Sequence, residues 1–205
     1  FLKFVERHWI PAFAGMTETK CAVHYSTARD HEVNKGVAMN KRIEYWFDYV
    51  SPYAYLTTQV IEELAAKYGY EIDWKPVLLG VVFKTTNSSP LTMRPPIMAS
   101  YHKHDMERSA RYAGIPFILP EPFPINTQNT ARVCLWMKEV APSRVGEFTR
   151  AVTKAYFSGP AGMNDIAWLA EFVSAMGLDG EAAAAASVCP GRRCKRCGLR
   201  ESACS

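Results

Sequence analysis

Apolar and polar positions alternate from Ile43 to Tyr49, with Ile43, Tyr45, Phe47 and Tyr49 set against Glu44, Trp46 and Asp48. This is the two-residue period of a strand with one strongly apolar face. Ser51 and Pro52 follow, a good N-cap and a good first helical residue. Leu56, Val60 and Leu64 then recur at every fourth position, which is helical spacing. The pattern predicts a strand running straight into a helix, with a hydroxyl where they meet. Tyr70, Ile72 and Trp74 alternate with Glu71 and Asp73 before Pro76 closes a second strand. Strand, helix and strand in that order imply a parallel pair with a right-handed crossover.

Beyond Pro76 the strand pattern gives way to irregular and helical stretches. Leu78 to Pro96 reads as a long irregular loop rich in Ser, Thr, Asn and Pro, and such loops are functional or mobile. Met98 to Tyr112 is predicted helical, and Gly114 with Pro116, Pro120, Pro122 and Pro124 makes a second irregular stretch. Gln128 to Val140 is helical, and Pro142-Ser143 starts another helix in which Phe148, Ala151, Val152, Ala155 and Tyr156 form an amphipathic stripe. Asn164 is the expected N-cap of a last helix lined by Ile166, Leu169, Val173 and Met176. Trp46 and Trp74 are both expected in the core.

A hydroxyl at a helix start has a definite chemistry. The first N–H groups of a helix are unpaired and carry a partial positive charge that favours an anion. Thioredoxin-type proteins place Cys-x-x-Cys at such a junction, where the helix stabilises a thiolate. Here Ser51 takes the first position and Ala54 the last, so no redox pair is possible. A serine can instead donate a hydrogen bond to a borrowed thiolate. Such a bond to a charged group contributes about 1.5–3 kcal/mol, and the helix terminus about 0.3–1 kcal/mol. At about 1.4 kcal/mol per pKa unit, a thiol of pKa ~8.5 would fall to near or below neutrality. Glutathione is the obvious thiol. Ser51 as nothing more than a helix cap is the plainer alternative.

Phe47-Asp48-Tyr49-Val50-Ser51-Pro52-Tyr53-Ala54-Tyr55-Leu56 resembles the signature of the 2-hydroxychromene-2-carboxylate isomerases, relatives of kappa-class glutathione transferases. The resemblance continues through Trp74 to Gly80, Tyr101 to Arg108, Gly114 to Phe117 and Phe123 to Asn126, and covers roughly Met39 to Leu178. It implies an α/β, thioredoxin-like (DsbA-like) fold with a helical insertion. Residues 39–80 would be the N-terminal βαβ half and 81–178 the insertion carrying a substrate loop. It also implies a glutathione-dependent isomerisation of an aromatic keto-acid in aromatic catabolism, with Ser51 stabilising the glutathione thiolate. Lys84, Asn87 and Arg94 would contact the substrate, the cations holding its carboxylate, with Tyr101 beside them. Asn126 joins Ser51 as a glutathione contact, although turn chemistry explains it equally well. The alternatives are a kappa-like glutathione transferase, a non-catalytic thioredoxin-like binding module, and an inactive truncated product. Relatives of this kind are commonly dimers.

Composition changes this picture mainly at the two ends. A chain of 205 residues with 48% hydrophobic content can bury one sizeable core. No apolar run approaches the ~20 residues of a membrane span. The net charge of +4 is carried by residues 188–205, where Arg192, Arg193, Lys195, Arg196 and Arg200 face Glu201 alone. The basic balance therefore argues nothing for nucleic acid. Cys189, Cys194, Cys197 and Cys204 lie in the same segment and Cys21 near the start, leaving Cys134 alone in the body. A body with one cysteine fits a reducing cytoplasm.

Residues 1–38 show no sustained period and read as a non-native leader, with Met39 the expected natural start. Residues 179–205 read as an aberrant, frameshifted tail, because out-of-frame GC-rich codons yield Arg, Cys, Gly, Ala and Pro. The C-terminal half of the thioredoxin domain, with its cis-proline loop, would then be missing. A zinc knuckle of Cys189, Cys194, Cys197 and Cys204 is the competing reading, opposed by the six residues between the last two. His102 and His104, two apart on a helix, face different ways and suggest no metal site. Asp105 and Arg108 read as an ordinary surface pair.

Overall fold

The computed structural model describes residues 41–159 and 162–189. The leader, the Met39 start and the tail beyond Cys189, with three of the four candidate zinc cysteines, lie outside them. Strand β1 (Lys41–Phe47) pairs in parallel with β2 (Tyr70–Pro76), Ile43 opposite Ile72 and Phe47 opposite Pro76. The Val77 N–H extends the ladder to the Phe47 carbonyl at 2.8 Å. The expected strand–helix–strand unit is present, and these two strands are the sheet of the described residues.

The crossover is two short helices, α1 (Pro52–Thr58) and α2 (Ile61–Lys67). The Thr57 and Thr58 hydroxyls donate back to the carbonyls of Tyr53 and Tyr55, competing with continued helix, and Val60 leaves helical geometry. The stripe Leu56, Val60, Leu64 therefore does not form one buried face. Val60 and Leu64 are about half exposed, whereas Tyr55, Thr58 and Ala65 are buried. Trp74 is core but Trp46 is 59% exposed, correcting the expectation for that ring. The strand's own alternation turns Trp46 away from Phe47, and there its ring lies 4.9 Å from the Lys75 ammonium.

Residues 78–96 are not a loop. Leu79–Thr86 is a helix, α3, and Leu91–Met93 is a 3₁₀ turn. Gly80, Val81, Val82, Thr85 and Thr86 are weak helix formers, which is why the segment reads as irregular. Tertiary anchoring overrides that preference, because the Leu79 N–H is held by the Asp48 carboxylate at 2.7 Å. Helix α4 (Pro96–Ala113) ends at Gly114, whose φ of 67° is the left-handed conformation that glycine adopts freely. Helices α5 (Gln128–Val140), α6 (Val145–Ser158, entered through the 3₁₀ turn Pro142–Arg144), α7 (Ile166–Ala175) and α8 (Gly180–Val188) follow. The cap of α7 is Asp165, which accepts the Trp168 N–H at 2.8 Å. Asn164, expected in that role, instead accepts the Asn129 N–H at 2.9 Å and ties the start of α7 to α5.

The alanine run assigned to the tail is helix α8, packed on α5 and α7 with Ala183 and Ala186 buried. A Cβ on Gly180 would overlap Ser174 and the Ala170 carbonyl, so glycine permits this close approach to α7. The described part of the segment after residue 178 is thus part of the core.

That core is aromatic along its length. Phe47, Tyr45 and Trp74 form a cluster with centroids 5.3–5.7 Å apart, and Tyr49 continues it toward Phe148. Phe157 on α6 lies between Tyr55 of α1, stacked at 5.0 Å, and Phe117, stacked at 5.7 Å. Cys134 is fully buried, and burial pushes its thiol up to about 11, the state of an inert core cysteine. None of the described helices is long and apolar enough to cross a membrane.

Phe157→Ala should destabilise the protein by about 3–5 kcal/mol, since it empties the contact between α1, α6 and the 114–124 stretch. Urea unfolding should show a lower midpoint with an unchanged slope. A shift below about 1 kcal/mol would show that this ring does not join those elements.

Candidate active site

The site is assembled around a buried acid. Asp48, one residue past the end of β1, is 2% exposed. Its Oδ1 accepts the Val50 N–H at 3.1 Å and the Thr127 hydroxyl at 2.7 Å, and its Oδ2 accepts the Leu79 N–H. The three donors belong to the turn before Ser51, the start of α3 and the residue before α5. One carboxylate thereby fixes three chain segments around a common space.

Ser51 sits at the end of that turn as the N-cap of α1, with φ −82° and ψ 117°. Its backbone N–H donates to the Asp48 carbonyl at 3.0 Å, and its Oγ accepts the Ala54 N–H at 3.3 Å. The cap uses an acceptor lone pair of the hydroxyl and leaves its proton available. Ser51 is half-buried and lines a cavity of about 380 Å³, within the usual range for small-molecule sites of about 300–1,000 Å³. The walls are mainly apolar, with Leu79, Phe83, Leu91, Phe123 and Ile125 among them.

Of the residues singled out in the sequence, Ser51, Lys84 and Asn126 line this cavity and Asn87, Arg94 and Tyr101 do not. Lys84 stands on the last turn of α3 with an exposed side chain. Asn126 uses Oδ1 to accept the Gln128 N–H at 2.8 Å, leaving its NH₂ group to donate. Asn87 closes α3 in the left-handed conformation, φ 50°, a structural task that asparagine tolerates. Arg94 is turned back onto the Ser88 hydroxyl at 3.3 Å. Tyr101 is 62% exposed beside His102.

Sequence reasoning missed Asp48, Thr127 and Tyr53. For Asp48 the available signal was an acid beside the proposed helix start; the partners of Thr127 and Tyr53 are too distant in sequence to leave one. Tyr53 lines the cavity and donates to Asp105 Oδ2 at 2.7 Å, while Arg108 binds the other oxygen. The Asp105–Arg108 pair is therefore more than a surface contact, because it anchors α4 to α1. Burial, then the Asp105 carboxylate, push the Tyr53 phenol well up, so it stays a neutral donor. Burial also pushes Asp105 up, but the bonds from Arg108 and Tyr53 outweigh it and hold the carboxyl below its ordinary value.

Asp48→Ala should destabilise the fold by several kcal/mol, since each buried donor left unpaired costs about 1–3 kcal/mol. Asp48→Asn, which keeps one good acceptor, should cost less, and equal melting curves for wild type and Asp48→Ala would deny the carboxylate its role. Asp105 titrates below its unfolded value of about 3.9, so its contribution is complete above that pH and is lost as pH falls through the depressed value. Asp105→Asn should thus be less stable than wild type at pH 7, and the gap should close below about pH 4. A gap independent of pH in acid unfolding curves would remove the charged bond from the argument.

Known proteins agree with this architecture. Kappa-type glutathione transferase 2 of Caenorhabditis elegans is 32% identical over 93 residues, 45% of this chain and 41% of the relative. 2-Hydroxychromene-2-carboxylate isomerase of Pseudomonas putida is 32% identical over 79 residues, 38% of this chain and 39% of the relative. The matched stretches therefore span about two fifths of these relatives' lengths. Among solved structures, a 2-hydroxychromene-2-carboxylate isomerase superimposes with a TM-score of 0.62 at 22% identity, covering 73% of this chain and 72% of that one, a likeness of fold. A model of the DSBA-like thioredoxin domain matches residues 42–189, from β1 through α8, and the chain belongs to that family.

Proposed function

We propose that this chain is a glutathione-dependent isomerase acting on a conjugated aromatic keto-acid of the 2-hydroxychromene-2-carboxylate type. The observation that carries the reading is the Ser51 hydroxyl, whose oxygen accepts the Ala54 N–H, which leaves its proton free to donate, at the wall of a cavity of about 380 Å³. The residues present suit glutathione: a hydroxyl donor for its sulfur, an amide donor from Asn126, and no sulfur at Ser51 or Ala54 to divert it into a disulfide. Relatives named for kappa-type glutathione transferase and for the isomerase support the same class of ligand.

When bound, glutathione supplies a nucleophilic sulfur able to add reversibly to a conjugated double bond. The protein's share is positioning and electrostatics. Ser51 donates its proton toward the sulfur and favours the anion by about 1.5–3 kcal/mol. Lys84, at the rim of the same cavity, supplies the cation for a substrate carboxylate. Apolar walls from Leu79, Phe83 and Phe123 exclude water and strengthen both interactions. Asp48 keeps the Ser51 turn and the α3 wall in one arrangement.

The same geometry would serve a kappa-like transferase, which the 32% identity to kappa-type relatives favours as a second reading. Thiol accounting separates the two. Glutathione unchanged in amount after many turnovers identifies an isomerase, and loss equal to product identifies a transferase.

Ser51→Ala should lower turnover at saturating glutathione by about tenfold or more, the rate equivalent of that hydrogen bond. Ser51→Thr, which keeps a hydroxyl and a cap, should retain most of the activity. Because the alanine also loses a cap contributing about 1 kcal/mol, rates are to be compared where both proteins are folded by circular dichroism. An unchanged rate would remove Ser51 from the mechanism.

A further inference from the structure

One wall of the Ser51 cavity is held differently from the rest. Every other α-helix among the described residues has at least one buried residue, and α3 (Leu79–Thr86) has none. The 3₁₀ turn Leu91–Met93 that follows it has none either. The Leu79 N–H is tied to the Asp48 carboxylate. Beyond that bond, the hydrogen bonds of residues 79–93 to described residues stay within 78–94. Among them are Val82 N–H to the Leu78 carbonyl, Ser88 N–H to the Phe83 carbonyl and Arg94 to the Ser88 hydroxyl. A segment that buries little and bonds mainly to itself opens at low cost, because its movement breaks few core contacts.

The exposed residues of the lining show where the cavity opens. They are Gly80, Val81 and Lys84 of α3, and Asn126. The mouth therefore lies between α3 and Asn126. Val81 lines the cavity and is still 59% exposed, so α3 leaves this side open to water. Both ends of α3 suit bending. At the first, Leu79 is pinned by Asp48 and Gly80 follows it, where an added Cβ would meet nothing within 4 Å. At the other, Asn87 takes the left-handed conformation, φ 50°, three residues ahead of Pro90.

We propose that α3 is a lid, which pivots on Gly80 and Asn87 and closes toward Asn126 over a bound aromatic carboxylate. Lys84, on the last turn of α3, follows the carboxylate, and Val81 exchanges water for the apolar face of the ligand. Closing removes water from around Ser51, where a hydrogen bond to an anion then counts for more. The aromatic carboxylate as trigger rests on the function proposed above, and the two pivots do not.

Hydrogen–deuterium exchange tests the lid. In the free protein the amides of α3 should exchange about tenfold or more faster than those of α6, which its buried residues hold to the core. Saturation with S-(4-carboxybenzyl)glutathione, an unreactive thioether carrying peptide, sulfur and an aromatic carboxylate, should slow α3 by about tenfold and leave α6 unchanged. Gly80→Ala has room for its methyl and should raise the melting temperature, since alanine is the better helix former. It should also blunt the slowing of α3 and release the thioether about fivefold faster. A glycine with a structural role alone would leave both as in wild type. The second arm uses trans-cinnamate, an aromatic acid with no thiol. Slowing of α3 by cinnamate but not by the thioether would sink the thiol reading and leave the lid standing. The lid is overturned if α3 in the free protein is as protected as α6, if neither ligand slows it, or if Gly80→Ala matches wild type in exchange and release.

Discussion

The constraint on which the site depends is the burial of the Asp48 carboxylate. A carboxyl group 2% exposed is tolerated only where hydrogen bonds replace its lost water. Three donors do so here, from Val50, Leu79 and Thr127. Their positions in the chain span most of the distance from β1 to α5, so satisfying one acid forces those segments together. The Ser51 cavity is the space enclosed when that requirement is met. Losing any one donor would leave the carboxylate underpaired, which is why the arrangement tolerates little slack.

Rigidity around Ser51 comes from a second tie. Tyr53 sits two residues further along α1 and is bound to Asp105 of α4, itself held by Arg108. The turn before α1 is therefore fixed from the Asp48 side and the first turn of α1 from the α4 side. A hydroxyl between two such anchors needs no reorganisation to meet a developing charge, the condition under which a single hydrogen bond counts most in catalysis.

Local periodicity made β1, β2 and the helices α4 to α7 legible, because each carries its own two-residue or helical repeat. The parallel pairing followed from element order. What stayed hidden was set by distant contacts. Helix α3 looked like loop because Gly80, Val81 and Val82 are poor helix formers, and only the Asp48 bond to Leu79 reveals why it forms. The break after Thr58 turned Val60 and Leu64 outward, although their spacing alone promised a buried stripe. The site followed the same rule. Ser51 was legible as a cap before a proline, and Asn126 and Lys84 lie at its cavity. Asn87 and Arg94 looked equivalent to Lys84 on an assumed loop, but helix formation sends them to other tasks. In sequence Asp48 reads only as the polar half of an alternation, since two of its three donors lie 31 and 79 positions away.

The cap that Ser51 forms does not compete with the role proposed for its hydroxyl. Capping draws on a lone pair and donation draws on the proton, so the Ala54 N–H can stay bound while a ligand sulfur is engaged. Donation of electron density to Ala54 also makes the hydroxyl proton a slightly better donor, as in any chain of hydrogen bonds. Threonine could meet both demands. Alanine meets neither, and cysteine would cap weakly while bringing a sulfur of its own. Serine thus keeps the helix start intact and, in the proposed function, leaves the nucleophile to an entering thiol.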